Sequence, residues 1–178
     1  RAPFNAWILF GDGEYVHKAH ARNISEGGIL LDEVPQYPAE EESPLMFALP
    51  TIPRLKDYEL PQLRLALRDS FPTTVIRARC FLSRRTGETS SVEDVFRPTA
   101  GLRFTQLKRP DIDRLADYVE VFTANLVYLQ MLMDSWNTSD EIRYKARLLA
   151  TLLGYSDTPK MAQLRARVSQ DYRSLQWT

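Results

Sequence analysis

Apolar and polar residues alternate with a period of two through much of residues 1–108, the pattern of strands that are buried on one face. The clearest run is residues 74–83, whose apolar side chains share one face: Ile76, Ala78, Cys80 and Leu82. Shorter runs between turn residues predict five further strands, at residues 6–10, 14–21, 29–31, 45–49 and 101–104. Six short strands at this spacing predict a small antiparallel β-barrel.

Residues 51–73 interrupt this alternation. Pro53, Pro61 and Pro72 divide the stretch into short pieces. Residues 62–68 fit either a short helix or a strand, so the local structure stays open. We expect an insertion between two strands of the barrel.

The period of the pattern changes to that of a helix after residue 108. Apolar residues follow one another at spacings of 3 and 4 in one unbroken series: Ile112, Leu115, Val119, Phe122, Leu126, Leu129, Met133 and Trp136. Val127 and Met131 add apolar surface outside this seam. Such a helix has to be covered on more than one side. We therefore predict homo-oligomerisation through residues 111–136; the alternative is that later helices of the same chain cover it.

Two more helices are predicted after this one. Thr138 to Glu141 form a capping box, and Gly154 is a natural stop. Thr158-Pro159 then begins a last helix, with an apolar stripe at Met161, Leu164, Val168, Tyr172 and Leu175. The predicted fold class is α+β. A six-stranded antiparallel β-barrel occupies residues 1–110, with the insertion at about 51–73, and a helical extension follows at 111–178.

Composition narrows the classes of function. Positive and negative side chains number 23 each, so a broad nucleic-acid-binding surface is not expected. Cys80 is the only cysteine and there are two histidines, which argues against a disulfide or a metal site. The sequence contains neither an 18-residue apolar run nor a signal pattern at its start. We expect no membrane span and a cytoplasmic location.

The polar hexapeptide at residues 23–28 is the strongest candidate for a binding site. Asn23 and Ser25 point to the same side if the chain is extended there, because strand side chains alternate. Gly27 and Gly28 then allow a turn with positive φ and a close approach of the backbone to its neighbour. An amide beside a hydroxyl can read the edge of a base. The alternative is an ordinary turn between two strands.

The order of these features resembles the PilZ domain, a bacterial receptor for cyclic di-GMP. Asn23-x-Ser25-x-x-Gly28 fits the family's Asp/Asn-x-Ser-x-x-Gly motif, and residues 101–104 look like its closing strand. Residues 110–118 look like the helix that follows the barrel. The family also carries an Arg-x-x-x-Arg motif, whose second arginine is often followed by one residue and then proline. Arg1-Ala2-Pro3 fits that second arginine, and the first arginine would then lie four positions upstream of Arg1 and complete the site. In the rival alignment Arg1 is the first arginine and Asn5 stands in place of the second.

The resemblance implies a receptor for a second messenger. Arg1, Asn23, Ser25 and Gly28 would bind cyclic di-GMP, with Arg22 and Gly27 assisting. No catalytic residue, metal or further cofactor is implied. The N-terminal arm, residues 1–6, would be flexible and close over the ligand. The receptor would report to a protein partner that the sequence does not specify.

Two other functions compete with this one. The first is a PilZ-like adaptor that binds no nucleotide and acts through its helices. The second is a hydrolase built on Ser25, which lacks the Gly-x-Ser-x-Gly elbow and a motif that supplies a base. We therefore expect no enzymatic activity.

Overall fold

The computed structural model describes residues 1–32, 34, 35, 38, 42–86, 99–135, 139–155 and 160–175. The chain forms two compact units. The first comprises Arg1–Pro50 and Thr73–Val119, and the second comprises Thr51–Pro72 and Glu120–Thr178.

The first unit contains a closed β-barrel of six strands. They are β1 (Ala2–Gly11), β2 (Val16–Ser25), β3 (Gly28–Asp32), β4 (Ser43–Pro50), β5 (Thr73–Thr86) and β6 (Thr99–Gln106). Around the barrel the order is β1-β2-β3-β6-β5-β4. Every neighbouring pair is antiparallel. A six-stranded antiparallel barrel followed by helices confirms the predicted fold class.

The barrel interior is filled by apolar side chains from the six strands. The largest fully buried ones are Phe4, Ile8, Phe10, Ile24, Leu31 and Ile76. Each such side chain contributes about 1.5–3 kcal/mol by leaving water. Cys80 is buried with them, and desolvation raises the pKa of its thiol to about 12. The predicted place of Cys80 on the apolar face of residues 74–83 is confirmed.

Asp12 holds the turn between β1 and β2. One of its carboxylate oxygens accepts hydrogen bonds from the backbone N–H groups of Tyr15 at 2.7 Å and Glu14 at 2.9 Å. The other oxygen lies 2.6 Å from Nε2 of His17. These contacts, led by the Tyr15 amide, lower the pKa of the Asp12 carboxyl to about 2. The turn is therefore held by a carboxylate that stays ionised into strongly acidic solution.

The long helix α2 (Arg109–Asp134) is continuous over 26 residues. In its first turns Leu115 is fully buried, and the ring of Tyr118 meets Phe4 edge to face at 5.7 Å. The Tyr118 hydroxyl donates a hydrogen bond to the backbone oxygen of Pro3 at 3.0 Å. Burial raises the pKa of this hydroxyl, so it stays protonated and able to donate.

The second unit is helical. Residues 51–72 contain a short 3₁₀ helix (Leu55–Asp57) and α1 (Leu60–Asp69), which settles residues 62–68 as helix. The other helices of this unit are α3 (Asp140–Leu152), which α1 contacts, and α4 (Met161–Leu175). The Oγ of Ser139 caps α3 by accepting a hydrogen bond from the N–H of Ile142 at 3.2 Å. The predicted cap at Thr138 and the predicted start at Thr158-Pro159 lie outside the described residues.

The apolar seam of α2 is buried within the single chain. Leu115, Leu126, Leu129 and Met133 have no exposed surface, whereas Met131 is 60% exposed and Val127 is 36% exposed. Trp136, the last member of the predicted series, lies outside the described residues. The burial removes the seam as a free interface, so self-association stays a prediction that now rests on Val127 and Met131. In the described part of the chain, no helix is both long and apolar enough to cross a membrane.

Candidate functional site

Asn23 and Ser25 lie on the outer face of the barrel. They flank Ile24 on β2, and Ile24 is fully buried in the barrel interior. The β2–β3 pairing is irregular between Ala21 and Asn23, and regular pairing continues from Asn23 to Ser25. The prediction that both polar side chains point to one side is confirmed.

The two glycines act differently from the sequence-based expectation. Neither Gly27 nor Gly28 adopts a positive φ, so the predicted positive-φ turn is wrong. The turn is held instead by hydrogen bonds: Gly27 O accepts from the N–H of Phe104 at 2.9 Å, and Gly28 O accepts from the Ser25 hydroxyl at 3.2 Å. A Cβ on Gly28 would lie 2.3 Å from the backbone oxygen of Leu102. Gly28 is thus required by the close approach of β3 to β6.

Arg1 lies beside this motif by strand register. Ala2 pairs with Ile24 and Pro3 pairs with Asn23, so Arg1 stands at the level of Ser25. Arg1 itself is exposed and precedes the strand. The fold therefore brings Arg1, Asn23, Ser25 and Gly28 to one place on the barrel surface.

The expected flexible arm at residues 1–6 is wrong for residues 2–6. These residues belong to β1, and the side chains of Ala2 and Phe4 are buried in the core. Burial of alternate side chains ties this segment to the barrel, which the sequence-based argument from chain termini did not take into account.

Two rows of cross-strand partners continue from the motif along the outer face, and we call them the glycine strip. The first row is Ser25, Gly28, Arg103 and Phe81; the second is Asn23, Leu30, Gly101 and Arg84. A Cβ on Gly101 would lie 3.3 Å from the Cβ of Arg84. Gly28 and Gly101 leave gaps in the outer face on either side of the half-buried Leu30, and the exposed side chains of Arg103 and Arg84 stand next to these gaps.

Sequence reasoning missed Arg103 and Arg84 as site residues. Both lie far from the motif along the chain and reach it only through the pairing of β3 with β6 and of β6 with β5. The alternation of residues 101–104 does carry a signal, because it places Arg103 opposite the buried Leu102. No sequence pattern identifies Gly28 as the partner of Arg103.

The two residues predicted to assist binding, Arg22 and Gly27, lie in different surroundings. Arg22 is exposed and its Nη1 lies 4.0 Å from Oδ1 of Asp32, a weak ion pair in solvent. Gly27 sits in the turn with open space where a Cβ would be. Exposed Glu26 shares this turn, so the strip is bordered by a carboxylate as well as by cations. Arg22 remains able to turn toward a ligand because its present partner holds it loosely.

The comparisons with known proteins do not assign a function to this chain. No protein-family model matches the chain. No curated protein matches it either. Among the solved structures, the chain is similar to the Bacillus subtilis inhibitor of motility (MotI/DgrA), with a TM-score of 0.44 and 16% sequence identity. The match covers 66% of this chain and 46% of that one, so the chain spans less than half of that protein's length.

Proposed function

We propose that the first unit is a PilZ-like receptor domain that binds cyclic di-GMP on the glycine strip. The observation that supports this most directly is the position of the complete Asn23-x-Ser25-x-x-Gly28 motif. Its polar side chains lie on the outer face of the barrel, and Arg1 lies beside them by register.

The residue types suit the two chemical parts of the ligand. Arginine offers a planar set of donors that pair with phosphodiester oxygens or with guanine O6 and N7. The Asn23 amide supplies two donors and an acceptor to a base edge or a phosphate. The Ser25 hydroxyl donates to Gly28 O, and its oxygen can still accept a hydrogen bond. The bare backbone at Gly27 lets a flat base approach closely.

The remaining residues of the glycine strip extend this site. Arg103 and Arg84 place further guanidinium groups along the outer face, which suits a ligand that carries two phosphodiester charges. The half-buried ring of Phe81 ends the first row and offers a surface for base stacking. In this proposal the chain performs no chemistry on the ligand and needs no other cofactor.

The proposed receptor transmits the ligand state to a cytoplasmic protein partner, with homo-oligomerisation through residues 111–136 as part of the response. The exposed side chains of Val127 and Met131 support that part of the proposal.

Calorimetric titration with cyclic di-GMP tests the proposal, with cyclic di-AMP and GMP as controls. We expect Arg1→Ala to weaken binding by about 1.5–3 kcal/mol, because a hydrogen bond to a charged group is lost. Ser25→Ala is expected to weaken it less. No binding heat with the wild-type chain, or binding that Arg1→Ala and Ser25→Ala both leave unchanged, contradicts the proposal.

Asn5 distinguishes the two alignments of the arginine motif. Asn5 is exposed on β1, so Asn5→Ala and Asn5→Arg should both fold. If Arg1 is the second arginine, neither change alters affinity. If Asn5 occupies the second position, Asn5→Arg strengthens binding.

The second candidate function is an adaptor that binds no nucleotide. The observation in its favour is Asn5 itself, which stands where the rival alignment requires an arginine. Absence of cyclic di-GMP binding even in Asn5→Arg protein would favour the adaptor.

A further inference from the structure

A second part of the outer barrel face carries exposed apolar side chains. We call it the β1–β4 patch, and its residues are Trp7, Leu9, Met46, Ala48 and Val75. Trp7 is 58% exposed, Val75 is 49% exposed and Leu9 is 38% exposed. A surface tryptophan next to exposed aliphatic side chains is a common feature of protein interaction sites.

Strand register shows that the patch is contiguous. Leu9 pairs with Met46, and the pairing of Ile8 with Phe47 puts Trp7 beside Ala48. Ala48 in turn pairs with Val75. The apolar residues thus occupy two adjacent rows across β1, β4 and β5.

Cations border the patch on both sides. Lys18 of β2 pairs with Leu9, and Arg77 of β5 pairs with Met46. The ammonium group of Lys18 lies 4.2 Å from the centre of the Trp7 ring. From Lys18 to Arg77 the row crosses three strand spacings, which is about 14 Å.

On β1, β2, β4 and β5 the two rows contain no acidic residue, and the Trp7 row continues from His20 to Asp32 of β3. The residues that complete them are His20, which pairs with Trp7, and the two cations at the ends of the other row. The patch is thus an apolar area in which the row of Leu9 and Met46 has a cation at each end. Its complement is an apolar surface with one carboxylate placed to meet Lys18 and another placed to meet Arg77.

We propose that the β1–β4 patch binds an amphipathic helix of a partner protein that carries carboxylates along both edges of its apolar face. A helix with its side chains is about 10–12 Å wide, which fits between cations about 14 Å apart. Its apolar face covers Trp7 and Leu9, and its edge carboxylates meet Lys18 and Arg77. The helix lays its apolar face on the sheet surface, and charge selects the partner.

The patch is separate from the glycine strip. The strip runs from the ends of β2 and β3 onto β6 and β5, whereas the patch is centred on β1 and β4. Helix binding at the patch therefore does not depend on whether the strip binds cyclic di-GMP.

The test is a selection from a library of helix-forming peptides that share one leucine face. The positions along both edges of that face are drawn from Glu, Gln and Lys. The target is the full 178-residue chain, and Trp7→Ser protein in excess is the soluble competitor. A parallel arm measures binding of the chain to phosphatidylglycerol vesicles.

We expect the selected peptides to carry Glu at both edges. Lys18→Glu and Arg77→Glu should each weaken their binding about tenfold or more, because an opposed charge replaces a matched one. The matched controls lie on α1: Leu65→Ser removes an exposed apolar side chain, and Arg68→Glu reverses an exposed charge. Neither control should change peptide affinity, and circular dichroism should show every variant folded.

Three results would overturn the proposal. The first is no enrichment over the Trp7→Ser competitor. The second is enrichment of Lys or Gln at the edges, or of peptides whose binding Lys18→Glu and Arg77→Glu leave unchanged. The third is vesicle binding that Trp7→Ser abolishes while no peptide is selected, which would assign the patch to a membrane surface.

Discussion

Asn125 of α2 accepts a hydrogen bond at 2.8 Å from the backbone N–H of Leu55, and both residues are buried. The Asn125 amide also donates to the backbone oxygen of Pro53 at 2.9 Å. One side chain therefore satisfies two backbone groups of the segment that leads into α1. The insertion between β4 and β5 is held to the long helix by a buried polar contact.

Asn125→Leu should destabilise the second unit by about 2–4 kcal/mol, because the buried N–H of Leu55 and the partly buried oxygen of Pro53 both lose their partner. Urea unfolding followed by circular dichroism measures the loss. The control is Glu120→Gln, which removes an exposed ion pair to Arg54 and should cost less than about 1 kcal/mol. Equal stability of Asn125→Leu and wild type would contradict the role assigned to Asn125.

Gly28→Ala and Gly27→Ala form a matched pair for the close approach of β3 to β6. A Cβ at residue 28 would meet the Leu102 oxygen at 2.3 Å, whereas a Cβ at residue 27 meets nothing within 4 Å. Gly28→Ala should destabilise the barrel by about 1–3 kcal/mol through overpacking. Gly27→Ala should leave the unfolding midpoint almost unchanged. Similar midpoints for the two variants would show that the strands separate without cost.

Arg103→Ala tests whether the glycine strip extends the proposed site. The side chain is exposed, so the fold should survive its loss. Cyclic di-GMP affinity should fall about tenfold to a hundredfold, the effect of losing a charged hydrogen bond. Arg68→Ala, which removes an exposed arginine from α1, is the control and should bind as wild type. If wild type binds cyclic di-GMP and the Arg103→Ala variant binds it equally well, the binding site does not extend to β6.

Unfolding measured as a function of pH should reveal the contribution of Asp12 to the stability of the fold. The pKa of its carboxyl is lowered from 3.8 to about 2 in the fold, so the folded state favours the ionised form. This contribution to stability is complete above the ordinary pKa and is lost as the pH falls from about 4 toward 2. Asp12→Asn should therefore be less stable than wild type at pH 6, and the difference should narrow below pH 4. A difference that stays constant down to pH 2 would contradict the assigned contacts.

Met131→Glu and Leu129→Glu separate self-association from folding. Met131 is exposed and Leu129 is fully buried. If the chain forms a homo-oligomer through residues 111–136, Met131→Glu should reduce the mass measured by light scattering without loss of helix. Leu129→Glu should instead unfold the second unit, because it buries an unpaired charge. A monomer at every wild-type concentration would refute self-association.

The parts of the fold that depend on local pattern could be predicted from the sequence. Alternation at residues 74–83 and the 3-and-4 spacing after residue 108 reflect which side chains are buried, and burial follows the period of each element. Residues 62–68 could not be assigned, because their helix depends on a cap at Glu59 and on packing against α3.

Only part of the candidate site could be predicted from the sequence, for a related reason. Asn23 and Ser25 are neighbours along the chain, so their shared face follows from strand geometry alone. Arg103 becomes their neighbour only through strand pairing across β3 and β6. The long helix could be predicted only in part, since Leu126, Leu129 and Met133 are buried within the same chain whereas Val127 and Met131 stay exposed.

The hydrogen bond from Tyr118 to Pro3 has a mechanical consequence. Pro3 is also the strand partner of Asn23, so one residue of β1 is bound on one side to the proposed site and on the other to α2. Pro3 cannot shift away from β2 without either breaking this partly buried hydrogen bond or carrying Tyr118 with it. The start of β1 thus connects the proposed site to the first turns of α2. A displacement at Asn23 would therefore reach that helix through Pro3, with no loop in between.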